Sequence, residues 1–112
     1  MTIMQAKSNR VWVSNWEDIK SIGTVTNHSG TITTGGASQL AVPENLTRKY
    51  LLVQNVSDEA MWIMFGTNAI EGQPSMKLLP NGSYVMESTF ISSQPLYIIG
   101  ATTGKEFSIW EG

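Results

Sequence analysis

Few residues of this chain are suited to chemistry, and His28 is the most obvious of them. It is the only histidine, and Ser29 follows it directly in the turn "TNHSGT". A histidine activates a serine when the two side chains meet in space and an acid orients the ring. Adjacency in sequence does not create that geometry, so we expect His28 to be a turn residue rather than a catalytic base.

Acidic residues give no stronger signal. Glu17–Asp18 and Asp58–Glu59 are adjacent pairs, and neighbours on a strand point to opposite faces. One histidine without cysteines supplies no zinc set, and no calcium-loop spacing is present. We therefore predict no catalytic residues, no metal site, no cofactor and a non-enzymatic protein. A small glycan hydrolase, with two carboxylates brought together from distant strands, is a disfavoured alternative.

Composition limits the partners. The 112 residues suggest one domain, and 14% are charged with a net charge of −2, against about 25% charged in average domains. Such a surface favours association with other proteins, and its charge does not favour nucleic acid. Neither a signal peptide nor an apolar run long enough to span a membrane is apparent. We expect synthesis in a cytoplasm and no membrane contact.

Turn residues recur every 8 to 12 positions after Ile22, a spacing typical of sandwiches and barrels. We predict an all-β protein: an antiparallel β-sandwich or jelly-roll-like body over 23–112 with a short N-terminal arm, residues 1–22. Ser14 and Glu17 match a capping box, which indicates at most one helical turn in that arm. The predicted strands are 22–26, 30–34, 38–42, 49–56, 60–65, 76–79, 83–88, 96–101 and 106–111.

The stretch "RKYLLVQNVSDEAMWIMFG", residues 48–66, is the most apolar of the chain. It reads as a hairpin whose strands are apolar on both faces, and "PNGS" at 80–83 reads as another hairpin turn. Alternation places Leu51, Val53 and Asn55 on one face of the first strand. A sandwich core takes only one such face. The other must be covered by the arm, another subunit, a larger scaffold or the loop "GTNAIEGQPS".

Four tryptophans are many for this length. Trp62 and Trp110 fall on predicted strands, where a core position is the simpler interpretation. Trp12 and Trp16 lie in the arm, where we favour an intermolecular contact because aromatic side chains give large contact area at low entropic cost.

Three stretches together are similar to a pattern of small bacteriophage virion proteins. They are "RKYLLVQNVSDEAMWIMFG", "GQPSMKLLPNGSYVME" and "LYIIGATTGKEFSIWEG". The pattern has an Arg-Lys-apolar strand with a Gln-Asn pair, a strand ending at Phe-Gly, a Leu-Pro-Gly-type turn and an Ala-Thr-x-Gly hairpin. The similarity covers residues 46–112, and "LPNG" is longer than the simpler Pro-Gly turn. The chain thus resembles head decoration, or cement, proteins.

That resemblance implies a virion protein that binds the major capsid protein on the outer capsid surface, stabilises the head and forms a homo-oligomer, with a trimer favoured. Trp12, Trp16 and Ile19 are then the expected capsid contacts of the arm. Tyr50, Trp62 and Met64 are the expected subunit interface. The alternative is a receptor- or glycan-binding module of a phage tail, fibre or baseplate.

Overall fold

A computed structural model of the protein describes residues 23–87 and 89–112. These residues form strands and no helix. The predicted helical turn at 14–21 lies outside them. The strands are β1 (Thr26–Asn27), β2 (Gly30–Thr31), β3 (Gln39–Val42), β4 (Tyr50–Asn55), β5 (Met61–Phe65), β6 (Met76–Leu78), β7 (Ser83–Glu87), β8 (Leu96–Gly100) and β9 (Glu106–Glu111).

The strands form two antiparallel sheets. Sheet 1 has the order β1-β9-β4-β7, with β2 also paired to β9, and sheet 2 has the order β3-β8-β5-β6. Taking β1 and β2 as one interrupted strand, the first strand pairs with the last, the second with the second last, and so on inward to β5–β6. This nested pairing is that of an eight-stranded jelly roll. The predicted all-β sandwich is confirmed.

The core lies between the two sheets because inward positions alternate along each strand. Leu51 and Val53 of β4 face Met61 and Ile63 of β5 across it, and all four are almost fully buried. The shared face predicted for Leu51, Val53 and Asn55 is therefore correct. Sheet 1 turns its other face outward, and so does sheet 2.

The predicted hairpin over 48–66 is wrong. β4 belongs to sheet 1 and β5 to sheet 2, so residues 56–60 cross between the sheets instead of joining paired strands. The connection 101–105 between β8 and β9 crosses in the same way. Among consecutive strands that the structure describes, β5 and β6 form the one hairpin within a sheet.

The predicted hairpin at "PNGS" is also wrong, since β6 and β7 lie in different sheets. A type I′ hairpin turn needs positive φ at two successive residues. Here Asn81 has φ of 67° and Gly82 does not have positive φ. Gly82 N donates to Leu79 O at 2.7 Å, and Pro80 then Asn81 occupy the positions favoured in a type II turn. Such a turn splays the flanking strands, which sends them to opposite sheets.

Candidate interaction surfaces

A charged cluster closes one end of the core. β9 continues its inward alternation past Phe107 and Ile109 to Glu111, whose side chain is 8% exposed. The side chain of Arg48, two residues before β4, is fully buried and donates from Nε to Glu111 Oε2 at 2.6 Å. Its remaining nitrogens donate to the carbonyls of Ser92, Gln94 and Pro43. We call this end of the sandwich the Glu111 end.

His28 completes the cluster through its ring. Its Nε2 lies 2.9 Å from Glu111 Oε1. Burial raises the pKa of the Glu111 carboxyl, but hydrogen bonds from Arg48, His28 and Asn45 outweigh burial, so the pKa lies below its ordinary value of 4.5. The carboxylate is thus ionised at neutral pH and accepts from both partners, which assigns the proton of that bond to Nε2.

This arrangement orients a histidine with an acid, while Ser29 is engaged with the backbone of β9. The hydroxyl of Ser29 accepts from the backbone N of Ile109 at 2.9 Å, and the backbone N of His28 donates to Ile109 O. Both residues are thereby fixed along β9. Arg48 ties the loop 43–49 to residues 89–95, so the cluster holds together the connections at the Glu111 end.

A polar amide closes the opposite end, which we call the Asn55 end. Asn55 is fully buried, and its Nδ2 donates to Glu59 O at 2.6 Å and Leu78 O at 3.0 Å. Its Oδ1 accepts from the backbone N and the hydroxyl of Ser57. Its backbone pairs with Asn81 and Gly82. One residue therefore holds two of the connections that cross between the sheets, 56–60 through its side chain and 79–82 through its backbone.

The outer surface of sheet 1 carries an apolar row. Leu52 of β4 lies opposite Val85 of β7 on one side and opposite Trp110 of β9 on the other. Val85 is 44% exposed and Trp110 is 38% exposed. Tyr50 and Val25 continue the surface toward the Glu111 end. We call these five residues face 1.

A cleft of about 400 Å3 adjoins this row. It is lined by Gly23, Thr24, Val25, Lys49, Tyr50, Glu87 and Gly112. A Cβ atom on Gly112 would lie 3.5 Å from Val25 Cγ1 and 3.7 Å from Tyr50 Cβ. A side chain at this position would therefore contact both walls of the cleft, and Gly112 leaves that space empty. Gly23, the first residue that the structure describes, forms part of the wall of this cleft.

The outer surface of sheet 2 is partly covered by the chain itself. The loop 66–75 leaves β5, and its Ala69, 2% exposed, donates to Ser38 Oγ just before β3. Since β8 lies between β5 and β3, the loop crosses β8, where Ile99 is 7% exposed. The loop "GTNAIEGQPS", which the sequence offered as one possible cover for an apolar face, thus covers part of sheet 2.

Beyond that loop, sheet 2 shows a second apolar surface. Leu40 is 51% exposed, Trp62, Met64 and Tyr97 are partly buried, and the register places Tyr97 opposite both Leu40 and Met64. Lys77 Nζ lies 5.5 Å from the Trp62 ring centroid, a cation–π distance. We call Leu40, Trp62, Met64 and Tyr97 face 2.

The structure separates the predicted interface residues. Trp62 and Met64 share face 2, whereas Tyr50 lies on face 1 of the other sheet. Trp12, Trp16 and Ile19 lie outside the described residues. The core position expected for Trp110 is wrong, because the residue occupies an outward position of β9 and is 38% exposed. Trp62 is partly buried, also on an outer face.

Comparisons with known protein families, curated proteins and solved structures found no match to this chain. Over residues 23–87 and 89–112, no cluster of three or more metal-ligating side chains occurs. No helix there is long and apolar enough to cross a membrane. What this part of the molecule offers is surface: two apolar faces and a cleft.

Sequence reasoning missed four of the five members of face 1 as interaction residues: Val25, Leu52, Val85 and Trp110. The signal was available in part, because Val85 alternates with the inward positions Tyr84 and Met86 on a predicted strand. The register that brings Val85, Leu52 and Trp110 into one row depends on pairing between distant strands. The pairing of these distant strands could not be predicted from the local sequence of each strand.

Proposed function

We propose that this chain is a non-enzymatic structural protein of a bacteriophage virion that binds the outer capsid surface and stabilises the head. Face 1 is the observation that carries the proposal. It is an open row of apolar side chains centred on Trp110 and Leu52, next to the point where the arm joins the body. Large apolar surfaces rimmed by polar residues mark sites of protein contact.

Two supports come from the rest of the molecule. In the charged cluster, the ring of His28 bonds to Glu111 and the hydroxyl of Ser29 accepts from the backbone of β9, contacts that fit a structural role. The jelly roll is an architecture shared by viral capsid and lectin domains, which is an analogy of fold and does not by itself assign a function.

The two faces suggest a division of labour. Face 1 and the arm residues Trp12, Trp16 and Ile19 contact the major capsid protein. Face 2, with Trp62 and Met64, joins the subunits of a homotrimer. A trimer that straddles capsid subunits links several modest contacts through high effective concentration. Tyr50, expected at the subunit interface, belongs to the capsid side in this arrangement.

The test is a binding assay with two targets. Heads purified from the phage that encodes the chain, before and after expansion, are compared with intact host cells. Binding to expanded heads without binding to cells is the expected result. Binding to cells and not to heads would overturn the proposal in favour of a receptor-binding module.

A single substitution tests the arm. Trp12→Ala should weaken attachment to heads by about 2 kcal/mol or more, because a buried tryptophan is commonly an interface hot spot. Sedimentation of heads with labelled protein measures the occupancy. Wild-type occupancy by the variant would remove the arm from the capsid contact.

Glycan binding by a tail or fibre module is the second candidate, and one observation favours it. Trp110 is exposed beside Gln54 and Ser108 on the outer face of sheet 1. An aromatic ring next to amide and hydroxyl groups can stack on a sugar ring and hydrogen-bond its hydroxyls. Loss of cell binding in Trp110→Ala, with no binding to heads in either form, would support this candidate.

A further inference from the structure

We propose that residues 10–22 of the same molecule lie across face 1 in the unassembled protein, with a tryptophan of the arm in the cleft above Gly112. The arm and face 1 would then shield each other from solvent until the protein binds the capsid. Docking of residues 10–22 on face 1 is a property of the isolated chain. The consequence of this docking for attachment to the capsid rests on the proposed function.

Position is the first argument. Gly23, Thr24 and Val25 form one wall of the cleft, and the carbonyl of Thr24 lies 3.8 Å from the position of a Gly112 Cβ. Residue 22 is therefore attached at the edge of face 1. The end of sheet 2 that carries Trp62 and Lys77 is on the other side of the sandwich.

Length and composition are the second argument. The thirteen residues 10–22, fully extended, reach about 45 Å, while face 1 spans three to four strands spaced about 4.8 Å apart. The arm sequence "RVWVSNWEDIKSI", residues 10–22, contains two tryptophans, two valines and two isoleucines. This apolar content matches an apolar row that the described residues leave open to solvent.

Charge is the third argument. Residues 1–22 contain three basic and two acidic side chains, while residues 23–112 contain four basic and seven acidic side chains. Glu87 lies at the rim of the cleft. Within the docked segment the charges balance, with two basic and two acidic side chains over residues 10–22. The acidic body therefore does not repel the segment, and the apolar contact is not opposed by charge.

Effective concentration selects the arm of the same molecule over that of a second copy. A segment tethered beside its site is present at an effective concentration in the millimolar range. An arm from another copy must compete from the bulk solution, where the protein is far more dilute. The molecule's own arm therefore occupies the face unless its attachment forbids the approach.

Paramagnetic labelling tests this in the full chain. Since the chain has no cysteine, Asn15→Cys accepts one nitroxide label between the two arm tryptophans. In 15N-labelled protein, the amide signals of Leu52, Val85 and Trp110 should lose most of their intensity. Those of Leu40 and Tyr97 on face 2 should keep theirs. Broadening confined to face 2, or none on either face, would overturn the proposal.

A mixed sample separates the two sources of the arm. Nitroxide-labelled 14N protein is co-refolded with unlabelled 15N protein, so that broadening reports only an arm from another copy. We expect unchanged signals on face 1. Broadening there would show that a second copy supplies the arm and would overturn the assignment to the same molecule.

Matched variants complete the test. Leu52→Glu in the labelled chain should restore the face 1 signals because a charge in the row repels the apolar arm, whereas Leu40→Glu on face 2 should leave the broadening in place. The amide spectrum itself shows whether each variant is folded. Persistent broadening in folded Leu52→Glu would contradict docking on this row. None of these outcomes depends on binding to heads.

Discussion

At the residue scale, the two ends of the core are closed by polar side chains that use nearly all of their hydrogen-bonding capacity. At the Glu111 end, Arg48 is fully buried and makes four hydrogen bonds. At the Asn55 end, one amide serves two connections. Buried polar groups are tolerated when satisfied and costly when one partner is removed. These positions therefore specify the loops more than they add to the hydrophobic core.

Asn55→Ala should lower the free energy of unfolding by about 3 kcal/mol, because it leaves the buried carbonyls of Glu59 and Leu78 without their donor. Urea denaturation measures the change. Gln54→Ala is the matched control, since Gln54 is a partly buried outward amide with a single 3.3 Å bond to Asn81 O; its effect should stay within about 0.5 kcal/mol. Equal losses in both variants would contradict the role given to Asn55.

Glu111 predicts the acid response of the fold. Its pKa is below 4.5 in the folded protein, so the stabilisation is present above that value and is lost as pH falls through the folded pKa. Urea midpoints measured from pH 7 downward should decline in this range. Glu111→Gln should be less stable at pH 7, by about 3 kcal/mol because Arg48 loses its counter-charge, and should show a flatter acid decline.

Asp58→Asn is the control for that experiment. Hydrogen bonding to Lys105 lowers the pKa of Asp58, but the carboxylate is fully exposed, and exposed ion pairs contribute little to stability. The acid decline of this variant should follow the wild type. An acid profile of Glu111→Gln that also follows the wild type would exclude Glu111 as its source.

Part of this residue-scale detail was predictable. Alternation along the predicted strand 49–56 put Asn55 on the same face as Leu51 and Val53, and the structure confirms it. The same rule applied to 106–111 puts Glu111 on the face of Phe107 and Ile109, opposite Trp110, although a core position was expected for Trp110. The sequence does not indicate that Arg48, 63 positions away, would be its partner, since that contact depends on how the sheets close.

At the element scale, strand positions were predictable and strand pairing was not. Seven of the nine predicted strands agree with the structure to within one or two residues at each end, whereas the first two are shorter than predicted. The sequence indicated a turn at "PNGS" but not which type of turn, because Asn followed by Gly is compatible with two different turn types. Only the φ of both residues decides between a hairpin and a crossing.

The turn at 79–82 can be tested by substitution. Asn81 has φ of 67°, a conformation that β-branched residues avoid. Asn81→Val should therefore cost about 1–2 kcal/mol of unfolding free energy. Asn81→Gly should stay close to wild type because glycine adopts this conformation freely. Thermal or urea unfolding of the two variants gives the comparison, and equal stability would contradict the turn assignment.

At the scale of the whole molecule, the sandwich presents two apolar faces on opposite sides, and the proposed function gives each a different partner. Trp62→Glu on face 2 should dissociate the trimer to a monomer, because a charge would replace an indole at the subunit contact. Leu52→Glu on face 1 should leave the mass unchanged. Light scattering gives the solution mass of both variants and of the wild type, and so tests whether face 2 joins the subunits. A monomeric wild type would remove the trimer from the proposal.

The place of β9 also bears on how the protein is made. β9 follows the other described strands in the sequence, yet it lies between β1 and β4 in the middle of sheet 1. During synthesis, at about 5–20 residues per second, β1 and β4 lack the strand between them until residues 106–111 have been made. Until then the growing chain carries unpaired strand edges, which are sites of unwanted strand pairing. Stable pairing within sheet 1 is therefore deferred until β9 leaves the exit tunnel.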